Sequence, residues 1–284
     1  MRSVRFKQVD VFTREPFRGN PVAVVLEAGG LDAGEMQRIA AWTNLSETTF
    51  VLPPTSRGAD YRLRIFTPRM ELPFAGHPTI GSAHAVIEGG IAAPKGGRLN
   101  QECGAGTVAL EVEAGTIWLA SPEWSMSAVA PAEIAQAEQA LGRRFEGEPL
   151  IVNVGPRWLV GAMKDAVAVA ALQPDMASLA ALSRDLEIGG ATVYGTADDG
   201  QAAFHVRSFA PAHGIPEDPV CGSGNIGVAA YLAHTGQAAR VGEEYAVRQG
   251  MQLGRDGRVR VRMREDRILL GGSAVTCVEG RLRL

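Results

Sequence analysis

The 284-residue chain is 46% hydrophobic and long enough to bury two ordinary cores, so its size favours two domains. Its 28 basic and 31 acidic residues give a net charge of −3 and are mixed along the sequence, which disfavours a nucleic acid partner. The first residues carry frequent charges and lack the apolar run of a signal peptide or a membrane span, so we expect a cytoplasmic protein with no membrane partner.

The first predicted elements are strands, interrupted by one amphipathic helix. Short runs rich in β-branched and aromatic residues predict strands at residues 4–12, 22–26, 48–52 and 61–66. Between the second and third runs, the segment LDAGEMQRIAAWTN predicts a helix, because Asp32 is a favourable N-cap and Glu35 places an acidic group in the first turn.

Two further predicted helices, at about residues 79–88 and 225–234, are apolar nearly all round. A helix without a polar face is expected to be buried. The remaining predicted elements are helices at about residues 132–141 and 175–186, strands at about 151–154, 193–195 and 203–209, and hairpin-like strands after residue 245.

The sequence also contains an internal repeat. The segment RIFTPRMELPFAGHPTIGSAHAV begins at Arg64, and RSFAPAHGIPEDPVCGSGNIGVAAYL begins at Arg207. Identical residues recur at a spacing of 143 and, after a slip of three residues, at a spacing of 146. Each copy reads as a strand, a proline-containing loop and a glycine-led helix, so the chain is predicted to consist of two homologous halves.

The repeat predicts an α+β fold of two pseudo-symmetric domains, each a strand-rich, barrel-like sheet around one central helix. We place the domains at residues 1–125 and 126–284. The division leaves open that the last strand of the chain pairs with the first domain. If the two halves face one another, the starts of both buried helices point into a shared cleft, where we expect the active site.

The starts of these two helices are candidate anion-binding sites. Gly76 and Gly222 expose backbone N–H groups at the positive end of a helix dipole, which attracts carboxylate or phosphate. His77 follows Gly76 and precedes Pro78, and it is expected to act there as a neutral hydrogen-bonding group. Ser223 occupies the matching position of the second copy.

Three carboxylates lie near these motifs. Glu47, in NLSETTF, stands between two hydroxyl residues and close to apolar ones, so a partly desolvated carboxyl with a raised pKa is expected there. Glu217 and Asp218 lie in PEDPV, one loop ahead of the second helix. Of these two, Asp218 is the one that we expect to reach the substrate.

The segments GNPVAVV, NLSETTFV, RIFTPRMELPFAGHPTIG and EDPVCGSGN together resemble the phenazine-biosynthesis isomerase (PhzF-like) family, within the diaminopimelate-epimerase-like superfamily. The resemblance spans nearly the whole chain. It implies isomerisation by proton transfer on a small carboxylic acid, without a metal or an organic cofactor, in a protein that is frequently a homodimer.

Carried over residue by residue, the resemblance implies that Glu47 is the general acid–base, with His77 and Asp218 as catalytic partners. It implies substrate binding by Gly76, Gly222 and Ser223, and Cys221 is counted with them as a candidate substrate-binding residue. No metal site is expected, because the three cysteines lack paired metal-type spacing.

One departure from the family pattern concerns Cys221. The family usually reads Thr-Gly-Ser-Ala at this point, whereas Cys221-Gly222-Ser223-Gly224 is closer to the epimerases and racemases that use two thiols. The counterpart of Cys221 in the first copy is Ala75, so the thiol pair is broken. Three alternatives stay open. The protein is an isomerase that uses Glu47 as its acid–base while Cys221 is only packed, a one-thiol epimerase or racemase that uses Cys221, or an inactive homologue that only binds small molecules.

Overall fold

The computed structural model describes residues 2–197, 199–264 and 267–284. Its strands are β1 Ser3–Val11, β2 Asn20–Val25, β3 Thr48–Leu52, β4 Tyr61–Phe66, β5 Glu71–Leu72, β6 Arg98–Cys103, β7 Gly106–Glu113, β8 Thr116–Ala120, β9 Ser125–Ala128, β10 Leu150–Asn153, β11 Arg157–Ala162, β12 Gly190–Thr196, β13 Phe204–Ala210, β14 Ile215–Asp218, β15 Glu244–Gln249, β16 Gly257–Arg264, β17 Arg267–Gly272 and β18 Ala274–Arg283. Its α-helices are α1 Ala33–Thr43, α2 Gly76–Glu88, α3 Pro131–Leu141, α4 Ala166–Ala170, α5 Met176–Asp185 and α6 Gly222–His234.

The chain divides into two compact units. Unit 1 comprises Met1–Ala120 and Gly271–Leu284, and unit 2 comprises Ser121–Leu270. The chain therefore leaves unit 1 at the end of β8 and returns to it at Gly271, near the end of β17. In the part of the chain that the structure describes, no helix combines the length and the apolar character needed to cross a membrane.

The sheet of unit 1 runs in the order β18-β1-β2-β3-β4-β6-β7-β8. Its pairs are antiparallel except β2 with β3 and β4 with β6, which are parallel. The short strand β5 pairs antiparallel with β4 and leads directly into α2. These pairings place β5 beside the carboxyl-terminal end of β4, and α2 begins four residues after β5.

Helix α2 is the central helix of unit 1. Nine of its thirteen residues are buried, as the apolar sequence predicts. Gly81 allows its close approach to the sheet, because a Cβ at this position would lie 2.4 Å from Cγ1 of Val22 and 2.8 Å from Cγ2 of Val11. The glycine of the repeat is thus required for packing the helix against β1 and β2.

Helix α1 begins as the sequence predicts. The Asp32 carboxylate accepts from the backbone N–H of Glu35, and the Glu35 carboxylate accepts from the backbone N–H of Asp32, which together form a capping box. The helix ends at Asn44, which adopts the left-handed conformation. The chain then turns back, and β3 begins four residues later.

Unit 2 repeats the strand pairings of unit 1. Its sheet runs in the order β9-β10-β11-β12-β13-β15-β16, and again two pairs are parallel, β11 with β12 and β13 with β15. Strand β14 pairs with β13 and leads into α6, as β5 leads into α2. Helix α6 is buried along most of its length. Helices α3, α4 and α5 supply residues to a separate hydrophobic cluster of this unit.

Within each unit, a strand-rich sheet packs on one central helix, and the two sheets share one order of parallel and antiparallel pairs. The predicted α+β fold class is confirmed.

The two central helices begin three residues earlier than predicted, at Gly76 and Gly222. His77 and Ser223 are consequently the second residues of their helices. Pro78 fits inside the first turn because that turn does not use its missing N–H group. The sequence also did not predict β6 and β7, whose Asn, Gln and Glu residues are uncommon in strands.

Candidate functional site

The predicted site residues of unit 1 meet at the start of α2. Gly76 is the first residue of this helix. The N-cap residue before it, Ala75, has no polar side chain that could cap the helix. The first N–H groups of an α-helix have no partner within the helix. The start of α2 therefore offers backbone donors together with the positive end of the helix dipole.

Glu47 lies beside this helix start because of its place at the end of a short loop. It immediately precedes β3, and its carbonyl oxygen accepts from the backbone N–H of Ala23 on β2 at 3.3 Å. Its carboxylate oxygen Oε2 lies 3.5 Å from Nε2 of His77. The predicted base and the predicted histidine are therefore in direct contact.

The Glu47–His77 pair is largely removed from solvent. The Glu47 side chain is 16% exposed and the His77 side chain 9%. Oε2 of Glu47 is buried and has no hydrogen-bond partner among the residues that the structure describes. Burial raises the pKa of Glu47 to about 7, and a hydrogen bond with the side chain of Ser46 lowers it in part. Near neutral pH, both the acid and the base form of Glu47 are populated.

In unit 2, Cys221, Gly222 and Ser223 surround the start of α6. Cys221 is the N-cap residue, and its Sγ accepts from the backbone N–H of Gly224 at 3.3 Å. The thiol is buried, and its burial raises the pKa of Cys221 well above the usual range. Gly222 is buried, whereas Ser223 is partly exposed. The environment of Cys221 favours the packed thiol over a reactive thiolate.

Asp218 lies just ahead of the same helix, at the end of β14. Its Oδ1 accepts from the backbone N–H of Val220 at 3.0 Å, and its carbonyl oxygen accepts from Nε2 of Gln249 at 3.1 Å. The side chain is half-buried. These bonds fix the loop between β14 and α6, which connects Asp218 to the other predicted site residues of unit 2.

Glu217, the third carboxylate of the sequence motifs, has a structural partner. The Arg207 guanidinium donates from Nε to Oε1 of Glu217 at 2.9 Å and from Nη2 to Oε2 at 2.7 Å. Both side chains are buried, with exposures of 5% and 7%. Glu217 is therefore engaged in tying β14 to β13.

Sequence reasoning missed one residue that contacts the candidate site. The indole Nε1–H of Trp158, on β11, donates to Oγ of Ser223 at 3.0 Å. Trp158 is 5% exposed. A tryptophan within a strand reads as an ordinary core residue. The signal that could have singled it out is the need of a buried indole N–H for a hydrogen-bond acceptor.

Thus the structure brings Glu47, His77 and Gly76 together in unit 1, and it brings Asp218, Cys221, Gly222 and Ser223 together in unit 2. Within the described residues, no group of three or more His, Cys, Asp or Glu side chains has the arrangement of a metal site.

Comparison with known proteins agrees with the sequence resemblance. The family model "Phenazine biosynthesis-like protein" (PhzC-PhzF) matches residues 9–280. The chain is 41% identical to "Antisense-enhancing sequence 1" of Schizosaccharomyces pombe, with 97% of each chain covered. It is 36% identical to trans-2,3-dihydro-3-hydroxyanthranilate isomerase of Pseudomonas aeruginosa, with 99% of each chain covered.

A solved structure shows the same fold. The phenazine biosynthesis protein of Bacillus anthracis, of the PhzF family, superposes with a TM-score of 0.88 at 26% identity, over 100% of both chains. The predicted family and the predicted isomerase class are both confirmed. On the combined match of sequence and fold over nearly its full length, the chain belongs to the PhzC-PhzF phenazine biosynthesis-like family of isomerases.

Proposed function

We propose that the protein is a cofactor-independent isomerase that moves a proton within a small carboxylic acid, with Glu47 as the general acid–base. The observation that carries the proposal is the Glu47–His77 pair: a desolvated carboxyl with a pKa of about 7, held 3.5 Å from an imidazole at a helix start. General acid–base catalysis works best when the pKa of the catalytic group lies near the working pH.

The proposed reaction transfers one proton and no electrons. The Glu47 carboxylate removes a proton from a carbon atom of the substrate, and the electron pair left behind moves into an adjacent π-system. The protonated Glu47 then returns the proton to a different carbon atom. The double bond has shifted, and Glu47 is again a carboxylate, so the atoms and the charges balance.

His77 and the start of α2 support this proton transfer. His77 contacts the carboxylate oxygen of Glu47 and limits the positions that this side chain can adopt. The exposed N–H groups at Gly76 would hold the substrate carboxylate, because an anion is favoured at a helix N-terminus. This binding would leave the carbon chain or ring of the substrate facing Glu47.

Asp218, Gly222 and Ser223 are proposed to bind further polar groups of the substrate. Asp218 offers carboxylate oxygens as acceptors, and Ser223 offers a partly exposed hydroxyl. Cys221 is assigned a packing role, because its thiol is buried and its pKa is raised. A two-thiol mechanism is further disfavoured because the first copy has Ala75 at the matching position.

The test is deuterium incorporation from D₂O into trans-2,3-dihydro-3-hydroxyanthranilate, the substrate named for the Pseudomonas aeruginosa relative, followed by mass spectrometry. If this compound is inert, a panel of unsaturated cyclic carboxylic acids takes its place. Wild-type protein is expected to isomerise a member of this set with deuterium uptake. Glu47→Gln should lower turnover by roughly 10²–10⁴-fold while substrate binding persists.

Cys221→Ser is the matched control, because it exchanges a single heteroatom, sulfur for oxygen, at the start of the other helix. It is expected to retain most of the turnover. Loss of activity in Cys221→Ser with retention in Glu47→Gln would replace the proposal by a one-thiol epimerase. Binding without turnover or deuterium uptake across the whole set would replace it by a small-molecule-binding protein.

A further inference from the structure

The two helix starts differ in the side chain that approaches them. In unit 1, Thr48 pairs with Phe66 across β3 and β4, and in unit 2, Ala191 pairs with Phe209 across β12 and β13. Phe66 and Phe209 are equivalent residues of the internal repeat. The residue before Thr48 is Glu47, and the residue before Ala191 is Gly190. Gly190 therefore occupies, in unit 2, the strand position of Glu47.

No side chain can be accommodated at Gly190. A Cβ there would lie 1.9 Å from the carbonyl oxygen of Phe209, and the residue has φ +156°. The structure thus excludes a second carboxylate at this position. Trp158 pairs with Gly190 across β11 and β12, and its indole contacts the second residue of α6, Ser223. In unit 1, Glu47 contacts the second residue of α2, His77.

The Trp158–Ser223 pair thus stands where unit 1 has the Glu47–His77 pair, although Trp158 comes from the neighbouring strand β11, and its chemistry is different. An indole N–H can only donate a hydrogen bond, and it does not titrate. Since Trp158 donates to Oγ of Ser223 at 3.0 Å, the hydroxyl proton of Ser223 must point elsewhere. The neighbouring Cys221 Sγ is 3.6 Å from this oxygen, and a thiol sulfur is a weak acceptor.

We propose that Trp158 is a positioning residue that commits the Ser223 hydroxyl to donating a hydrogen bond to an oxygen atom of the substrate. This inference rests on the proposed function, in which Ser223 binds substrate. It gives the two helix starts different tasks: Glu47 and His77 handle the proton, while Trp158 and Ser223 provide a donor whose direction is the same at every pH.

The orientation of the Ser223 hydroxyl is well defined because its donor, Trp158, is buried, while Ser223 itself is partly accessible. Trp158 is 5% exposed and lies within a central strand, so the position of its N–H is set by packing. A serine hydroxyl alone rotates freely among its staggered positions. The Trp158 N–H occupies one acceptor position of the Ser223 oxygen from a fixed direction, so the hydroxyl loses some of this freedom before the substrate binds. Less conformational entropy is then lost on binding.

The test is a double-mutant cycle of Trp158→Phe and Ser223→Ala, with kcat and KM measured on the substrate identified in the deuterium experiment. Trp158→Phe keeps an aromatic ring and removes the N–H group, and it is expected to lower kcat/KM about 10-fold, as for the loss of one buried hydrogen bond. In the Ser223→Ala background, Trp158→Phe should have no further effect. In the Ser223→Thr background, which keeps the hydroxyl, Trp158→Phe should again lower kcat/KM.

Trp118→Phe is the matched control, because Trp118 is a buried tryptophan of unit 1 that is not among the proposed site residues. It is expected to leave kcat and KM unchanged. Equal effects of Trp158→Phe in the wild-type and Ser223→Ala backgrounds would show that the indole acts only through packing, and would overturn the inference. An inactive wild-type protein would instead overturn the proposed function, before any variant is compared.

Discussion

Glu47 combines two features that seldom occur together in a carboxylate. It is buried enough to have a pKa of about 7, and the structure gives its Oε2 no hydrogen-bond partner among the described residues. An ordinary glutamate would gain free energy by turning towards water, so the arrangement costs stability. Such a cost is typical of a group that is kept for chemistry rather than for folding.

This cost leads to a prediction for the pH dependence of stability. The pKa of Glu47 is higher in the folded protein than its ordinary value of 4.5, so the folded state binds more protons than the unfolded state between about pH 4.5 and pH 7. The free energy of unfolding therefore falls as the pH rises through this range. The full loss is on the order of 3 kcal/mol, from 1.36 kcal/mol for each pKa unit.

Glu47→Gln, which is uncharged at every pH, should thus be more stable than the wild type at pH 8 and about equal to it at pH 4.5. Urea unfolding at the two pH values measures the difference. Glu146→Gln, at an exposed position, is the control and should show no such pH-dependent gain. A Glu47→Gln protein that is no more stable than the wild type at pH 8 would contradict the desolvation of Glu47.

At the scale of elements, each unit has an arginine–glutamate pair that ties a short strand to its neighbour. Arg64 binds Glu71 through Nε and Nη2 at 2.7 and 2.6 Å, and Arg207 binds Glu217 at 2.9 and 2.7 Å. Both guanidinium groups also lie over a phenylalanine ring, at 5.2 Å in unit 1 and 4.9 Å in unit 2. The repeated arginine of the sequence therefore has one structural role in both units.

The two pairs should contribute differently to stability. Arg207 is buried with Glu217 and also donates to the carbonyl oxygens of Val169 and Leu172, whereas Glu71 is 41% exposed. Arg207→Met leaves a buried carboxylate without its partner, so we expect a loss of about 3–5 kcal/mol. Arg64→Met should cost at most about 1 kcal/mol. Urea unfolding of the two variants checks the order, and equal losses would contradict it.

The start of α2 allows a test of substrate binding that does not disturb the fold. A Cβ at Gly76 would meet only Cδ2 of Leu119, at 4.0 Å, and alanine is favourable in a helix. Gly76→Ala should therefore retain the melting temperature. The added methyl group would stand beside the N–H groups proposed to bind the substrate carboxylate, so KM is expected to rise about 10-fold or more. An unchanged KM would place the carboxylate elsewhere.

At the scale of the whole molecule, we propose that the protein is a homodimer, as the resemblance to its family implies. The chain exposes large apolar side chains, among them Trp42 at 79% and Met70 at 58%. Such side chains become buried when a second copy binds over them. Sedimentation equilibrium at micromolar concentration should give twice the chain mass of 30.0 kDa. A single species at the mass of one chain would contradict this prediction.

Much of the fold could be predicted from the sequence because its signals are local or repeated. The N-cap of α1 at Asp32 and the apolar character of α2 and α6 depend on neighbouring residues, and each prediction is confirmed. The polar hairpin of β6 and β7 and the first turns of α2 and α6 could not be predicted. Strand β6 joins the sheet by pairing with β4, which is distant in sequence, and the glycine and proline of GHPT read as a loop.

For the candidate site, the sequence shows which residues are present: a glutamate between two hydroxyl residues, a histidine after a glycine, and Cys221, whose repeat partner is an alanine. The chemical properties of each of these residues follow from the tertiary structure. The raised pKa of Glu47, the burial of Cys221 and the bond from Trp158 to Ser223 all depend on atoms from distant parts of the chain. Desolvation and hydrogen-bond direction are properties of the packed environment, and a sequence specifies that environment only through its fold.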